Sequence, residues 1–182
     1  MVRSRVSKRY ARALFELARE ENILQQVEKD LSELDQYLKA SDEFENLLAS
    51  PVVHANKKRE VFDDLFGKQF HPKTMDFIRL LLEKNREYLL PEIIEYFHQL
   101  LDEKNGIIRG QLLTAYPFSE AQLELLNKHL NQITAKKVIL TQDVDKELLG
   151  GFIVQMDDTV IDSSLKNQLL KLRENLLSPE NG

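Results

Sequence analysis

The chain has 182 residues, of which 42% are apolar and 30% charged, and its formal net charge is −5. That size suits one large domain or two small ones, and the composition is that of a folded, soluble, helix-rich protein. The acidic balance argues against a nucleic-acid surface as the main purpose, since duplex binding needs a concentrated basic face, although a local basic patch stays compatible with it. There is no cysteine, which rules out disulfides, thiolate metal sites and cysteine nucleophiles and leaves the redox compartment open. No apolar run approaches the ~20 residues that span a bilayer.

The spacing predicts a first helix over 6–20. Its polar residues Arg9, Arg12, Glu16 and Arg19 step by three, four and three, a stripe only about 80° wide at roughly 100° per residue. Tyr10, Ala11, Ala13, Leu14, Phe15, Leu17 and Ala18 fill the rest, more apolar surface than one core contact uses. A conventional amphipathic helix is expected over 23–38, with Val27, Leu31, Leu34 and Leu38 in register. Ser41-Asp42 breaks it, and a short helix over 44–48 ends before Pro51. A fourth helix, 56–66, stops at Gly67, and His71-Pro72 opens a fifth over 73–83. There Asp76, Arg79 and Glu83 repeat the narrow polar stripe, with Met75, Phe77, Ile78, Leu80, Leu81 and Leu82 around the remainder. A sixth helix is expected over 87–104.

Asn105-Gly106 is a strong stop and marks a domain boundary, giving domains 1–105 and 106–182. The texture then changes. A strand over 107–116 ends at Pro117, and Ser119 caps a helix with Gln122 at the capping-box position. Leu123, Leu126 and Leu130 share one face of that helix. A second strand is expected over 138–141, and a short turn over 145–149 leads to Gly150-Gly151. An extended run 152–154, a turn at Asp157-Asp158 and a strand 159–161 make a hairpin. Asp162 or Ser163 then caps a helix on which Leu165, Leu169, Leu172 and Leu176 lie on one face. The expected fold class is mainly α, an N-terminal six-helix bundle followed by a small α/β C-terminal domain.

No constellation for catalysis stands out. The histidines at 54, 71, 98 and 129 are not paired at ligand spacing, whereas a metal site needs two to four converging ligands. No Walker-type or nucleophile-elbow glycine pattern occurs, and Gly150-Gly151 lacks the lysine of a phosphate loop, so a tight turn with close backbone approach explains it. Asp157, Asp158 and Asp162 are accounted for by a hairpin turn and a helix cap. No metal, cofactor or catalytic residue is expected. For the surplus apolar surface on the first and fifth helices, pattern alone leaves two explanations level. Both helices are central in a bundle, or they flank a groove for an amphipathic helix from another protein.

Three stretches carry a family resemblance. R-Y-A-x-A-L-F-x-x-A at 9–18, I-x-R-G-x-L-x-x-A-Y-P-F-S-E-x-Q at 107–122, and the glycine pair with V-I-D-x-S and the leucine-stepped helix at 148–172 resemble the delta subunit of F-type ATP synthases. The mitochondrial member of that family is the oligomycin sensitivity conferral protein. Family members often have glycine where this chain has Asp157-Asp158 and Ser163, a difference of turn geometry. The resemblance implies a non-catalytic peripheral-stalk (stator) subunit that links the alpha/beta catalytic head to the b-subunit stalk and so couples proton flow to ATP synthesis. It implies that 1–105 holds the N-terminal helix of one alpha subunit between the first and fifth helices. By the same angular bookkeeping, Tyr10, Ala13 and Leu17 lie beside one edge of the first polar stripe and Phe77 and Leu80 beside the corresponding edge of the fifth, so these five are the expected contacts. The resemblance implies that 106–182 binds the b subunits, with Gly150, Gly151, Asp162 and Ser163 as signature turn and cap. The basic start, which has transit-peptide character, is then simply the first helix of an unprocessed bacterial chain. Association is expected with the cytoplasmic face of the inner membrane, only through the complex, and not with nucleic acid. The alternative function is a stand-alone helical adaptor that binds amphipathic peptides or nucleic acid.

Overall fold

The structure, a computed structural model, describes residues 5–50, 53–156 and 159–177. Among them, eight α-helices and one four-stranded sheet make the fold mainly helical, as expected. The backbone falls into two compact units, Met1–Leu101 and Asp102–Gly182. The division lies inside a helix rather than at the Asn105-Gly106 stop. Within the second unit the Asp102 carboxylate accepts from Arg109 Nε at 2.6 Å.

Six helices precede the first strand: α1 (Arg5–Glu20), α2 (Leu24–Ala40), α3 (Asp42–Ala49), α4 (Ala55–Phe66), α5 (Pro72–Glu83) and α6 (Leu90–Asn105). Their apolar faces meet in one core that includes Leu14, Val27, Leu31, Phe62, Ile78 and Phe97. The single helix expected over 87–104 is in fact a 3-10 turn, Glu87–Leu89, followed by α6. Pro91 lacks an N–H and is tolerated in a first turn but not mid-helix, so the helix starts afresh beside it.

Three buried charged side chains, Asp30, Lys58 and Glu87, fix how these helices meet. Asp30 of α2, 2% exposed, accepts from His71 N at 2.8 Å, Thr74 Oγ1 at 2.7 Å and Gln26 Nε2 at 3.1 Å. His71 Nδ1 also accepts from Lys73 N at 3.3 Å. The orphan N–H groups that open α5 are thus partly satisfied by a carboxylate 41 residues earlier, a favourable charge at a helix N-terminus. Lys58 of α4 donates Nζ–H to Glu87 Oε1 at 2.5 Å and to the Leu48 carbonyl at 2.8 Å. Both partners of that ion pair are almost fully buried.

The second unit contains β1 (Ile107–Thr114), α7 (Glu120–Thr134), β2 (Lys137–Val144), β3 (Phe152–Met156), β4 (Thr159–Asp162) and α8 (Leu165–Leu177). The sheet order is β2-β1-β3-β4. β1 and β2 pair in parallel across the α7 crossover, and β1–β3 and β3–β4 are antiparallel. Leu112, Val138, Val154 and Met156 pack with Leu130 of α7 in a small core. The capping box at Ser119 and Gln122 is formed, with Ser119 N donating to Gln122 Oε1 at 2.9 Å. β1 ends two residues sooner than expected. β2 runs on to Val144, because parallel pairing with Leu112–Thr114 extends through Gln142–Val144, whose polar composition hides a strand.

Lys58→Met should destabilise the protein by about 3–5 kcal/mol, since it leaves the Glu87 carboxylate buried and unpaired. The double variant Lys58→Met/Glu87→Leu should regain most of that loss. Urea unfolding of the two variants beside the parent checks both outcomes.

Candidate functional site

α1 buries Ala11, Leu14, Phe15 and Ala18 and leaves its other apolar side free. On that side Ala13 is exposed, while Tyr10 and Leu17 are half-buried. The Tyr10 ring meets Phe77 edge to face, with centroids 6.2 Å apart. Its hydroxyl oxygen accepts from Arg86 Nη1 at 2.7 Å. Val6, Arg9, Tyr10, Ala13 and Arg86 line a hollow of about 430 Å³.

The five residues singled out from sequence do not form one patch. Tyr10 and Ala13 share the hollow, and Leu17 lines neither this hollow nor the next. Phe77 is only 8% exposed and belongs to the core, because the Tyr10 ring covers it. Leu80 is 41% exposed and lines a separate hollow of about 470 Å³ with Ala55, Asn56 and Arg59 of α4. The two explanations of surplus apolar surface therefore divide between the helices. α5 is nearly enclosed, with Met75, Phe77, Ile78, Leu81 and Leu82 all buried, whereas α1 is open along one side. Arg86 escapes the sequence reading altogether. It follows Asn85, whose φ of 53° ends the turn after α5, and only tertiary folding brings it to Tyr10, 76 residues away.

The glycine pair has a specific task in the second unit. Gly151 has φ 78°, and a Cβ there would stand 2.3 Å from the Ser163 carbonyl oxygen. A Cβ on Gly150 would meet Leu165 Cδ1 at 2.6 Å. The close approach lets Leu165 N donate to the Gly150 carbonyl at 3.0 Å and Ser163 N to that of Phe152 at 2.9 Å. The start of α8 is thereby laced to the start of β3.

The cap itself is neither of the two residues expected. Ser164, 2% exposed, accepts from Asn167 N at 3.3 Å and is the N-cap. Asp162 acts one step earlier, accepting from Ser164 N and Asn167 Nδ2, each at 2.9 Å. Those bonds, Ser164 N–H foremost, hold its carboxyl below the usual carboxylate value. Ser163 contributes backbone alone, its carbonyl accepting from Gln168 Nε2 at 3.3 Å. The Asp157-Asp158 turn and the side chain of Leu176 lie outside the described residues. Leu165, Leu169 and Leu172 are 47%, 59% and 56% exposed, so this face of α8 is not core. His71 and His54 stand at the helix starts of α5 and α4. Among the described residues no three His, Asp or Glu side chains gather as a metal site would need.

Comparison with known proteins gives one consistent result. The family profile described as ATP synthase delta (OSCP) subunit matches residues 6–176. The ATP synthase subunit delta of Chlorobaculum parvum is 38% identical over 172 residues, 94% of this chain and 95% of the relative. That of Carboxydothermus hydrogenoformans is 34% identical over 171 residues, 94% of this chain and 96% of the relative. A chain in the cryo-EM structure of the Toxoplasma gondii mitochondrial ATP synthase hexamer superposes with a TM-score of 0.75 at 27% identity. The match covers 97% of this chain and 99% of that one.

Gly151→Ala should lower stability by about 1–3 kcal/mol, through the strained φ and the clash with Ser163. The pH dependence at the same junction has a definite sign. The Asp162 carboxyl is depressed on folding relative to 3.8, so its stabilising effect is complete above that value and is lost as pH falls through the lower folded one. Protection of the Ser164 and Asn167 amides, taken as the intrinsic exchange rate over the observed rate at each pH, should be high at pH 5 and fall below about 4. Asp162→Asn should make that protection independent of pH over the same range.

Proposed function

The chain belongs to the ATP synthase delta (OSCP) subunit family, and from that premise we propose that it joins the alpha subunit of the catalytic head to the b subunits of the outer stalk. It is a stator subunit, a structural component of a membrane-associated ATP synthase complex, and its partners are other subunits of that complex. No helix among the described residues is long and apolar enough to cross a membrane. In our proposal it is held peripherally, at the cytoplasmic face, through the complex alone.

The six helices act in this proposal as a bundle that grips the head. The N-terminal helix of one alpha subunit lies on the open side of α1, against Tyr10, Ala13 and Leu17, with Phe77 as buried support and Leu80 as an outlying contact. The exposed Ala13 carries this proposal: a small residue beside Val6 and Tyr10 on the hollow lets an incoming helix approach closely. The second unit takes the b subunits. Ten large apolar side chains are exposed there against four in the first unit, among the described residues, so it is the half with more apolar surface for a partner to cover. The mechanism is mechanical. A head held to the outer stalk cannot turn with the rotor, and torque then drives chemistry instead of rotating the head. No observation favours a stand-alone adaptor.

Ala13→Gln, a good helix former at an exposed site, should leave the thermal melt of the full chain unchanged and weaken binding to the head about ten- to a hundredfold. A melt that collapses would make Ala13 part of the core and sink the proposed contact. Removing residues after Gly106 should leave ATP hydrolysis by the reassembled head intact while abolishing ATP-driven acidification of vesicles. Normal acidification would show the second unit to be dispensable for coupling.

A further inference from the structure

The hollow on α1 is bordered by hydrogen-bond donors in excess of acceptors. Arg86 gives one N–H to the Tyr10 oxygen, and its Cζ stands 5.6 Å from the ring centroid. A phenol that accepts in this way still has its own O–H to donate, and a guanidinium has five N–H donors and no acceptor. Arg9 lines the same hollow and, among the described residues, is paired with no carboxylate. The acidic side chains of α5, Asp76 and Glu83, line the other hollow, where Asp76 is engaged by Arg79. α1 carries five basic and two acidic residues in a chain whose net charge is −5. Two cations, Arg9 and Arg86, therefore edge an apolar floor in a molecule whose net charge is negative.

We propose that this donor cluster reads a carboxylate on the docked helix. An aspartate or glutamate of the alpha-subunit segment accepts the Tyr10 O–H and an Arg86 N–H, with Arg9 as the second cation, while its apolar neighbours lie on Ala13 and Val6. The inference rests on the head-binding role proposed above and adds the chemistry of recognition. In water such a pair contributes little, but a helix laid over the hollow excludes solvent and strengthens it. Arg86 is already held by Tyr10, so little side-chain freedom is lost on binding. A helix with a neutral residue at that position would bury the donors unsatisfied, which makes the cluster a specificity filter as well as an anchor.

The test is calorimetric titration of the full chain with a synthetic peptide of the alpha-subunit N-terminal segment from the same organism. Variants of the peptide replace each acidic residue singly by its amide. One substitution should weaken binding about ten- to a hundredfold. Arg86→Gln, checked by its melt, should weaken the parent peptide by a similar factor and flatten the salt dependence of binding. Combining the two should cost no more than either alone, and Arg86→Lys, which keeps the charge without the planar fork, should recover part of the loss. Amide peptides that all bind within about twofold of the parent would overturn the inference while leaving the docking proposal standing. Losses at Arg86 and at the peptide acid that multiply rather than overlap would do the same. A parent peptide that fails to bind would remove the docking proposal and this inference together.

Discussion

The buried carboxylate of Asp30 sets the position of everything around the α1 hollow. By accepting from His71 N and Thr74 Oγ1 it pins the first turn of α5 to α2. α5 then carries Phe77 to the underside of the Tyr10 ring and ends at the left-handed Asn85, which turns Arg86 back towards the Tyr10 hydroxyl. Glu87, the next residue, is locked into the interior by Lys58. An exposed arginine is thus held at its base by a buried ion pair one residue away. Buried pairs of this kind add little net stability against an apolar substitute. What this one supplies is a fixed location for a segment that would otherwise be a surface turn.

The second unit solves a different problem. Among the described residues its main buried apolar cluster is small, Leu112, Leu130, Val138, Val154 and Met156, and one stripe of α8 faces outward with Leu165, Leu169 and Leu172 exposed. Such a helix gains little from packing of its own and depends on how firmly its first turn is fixed. The glycine pair, the Ser164 cap and the Asp162 bonds concentrate there. The outward leucines keep their place because the start of the helix is tied down, and a partner meets an ordered surface instead of one it must first fold.

Much of this was legible in the sequence because it is local. Hydrophobic spacing located six helices before the Asn105-Gly106 stop, and the capping box at Ser119 and Gln122 was visible as a pair of residue types at a fixed offset. The glycine pair was recognisable as a close backbone approach, and the structure identifies what approaches: Ser163 O and Leu165 Cδ1. What failed depended on distant partners. Angular bookkeeping put Phe77 and Leu80 beside one stripe of α5, but it cannot tell that Tyr10 covers the first while the second opens towards α4. Ser164 displaced Asp162 and Ser163 as cap because three consecutive residues all have capping oxygens, and choosing among them requires the backbone. Arg86 belongs to no periodic pattern, and its partner is 76 residues away.

Two grips in series obey a logic that two parallel contacts do not. In a parallel arrangement a tight site compensates for a loose one, since binding free energies through one body add. A stator transmits torque along its length, so the load on each grip is the same and the weaker one sets what the link can hold. Surplus affinity at the head cannot be lent to the stalk. That constraint fits the way the two surfaces are made. One is a hollow of about 430 Å³ edged with cations, suited to a short segment recognised by shape and charge. The other is an extended apolar stripe on a helix whose origin is laced to the sheet, suited to a long partner recognised by area. On the proposed assignment, different chemistry on the two surfaces keeps each partner off the other's, and a link that must hold at both depends on that selectivity.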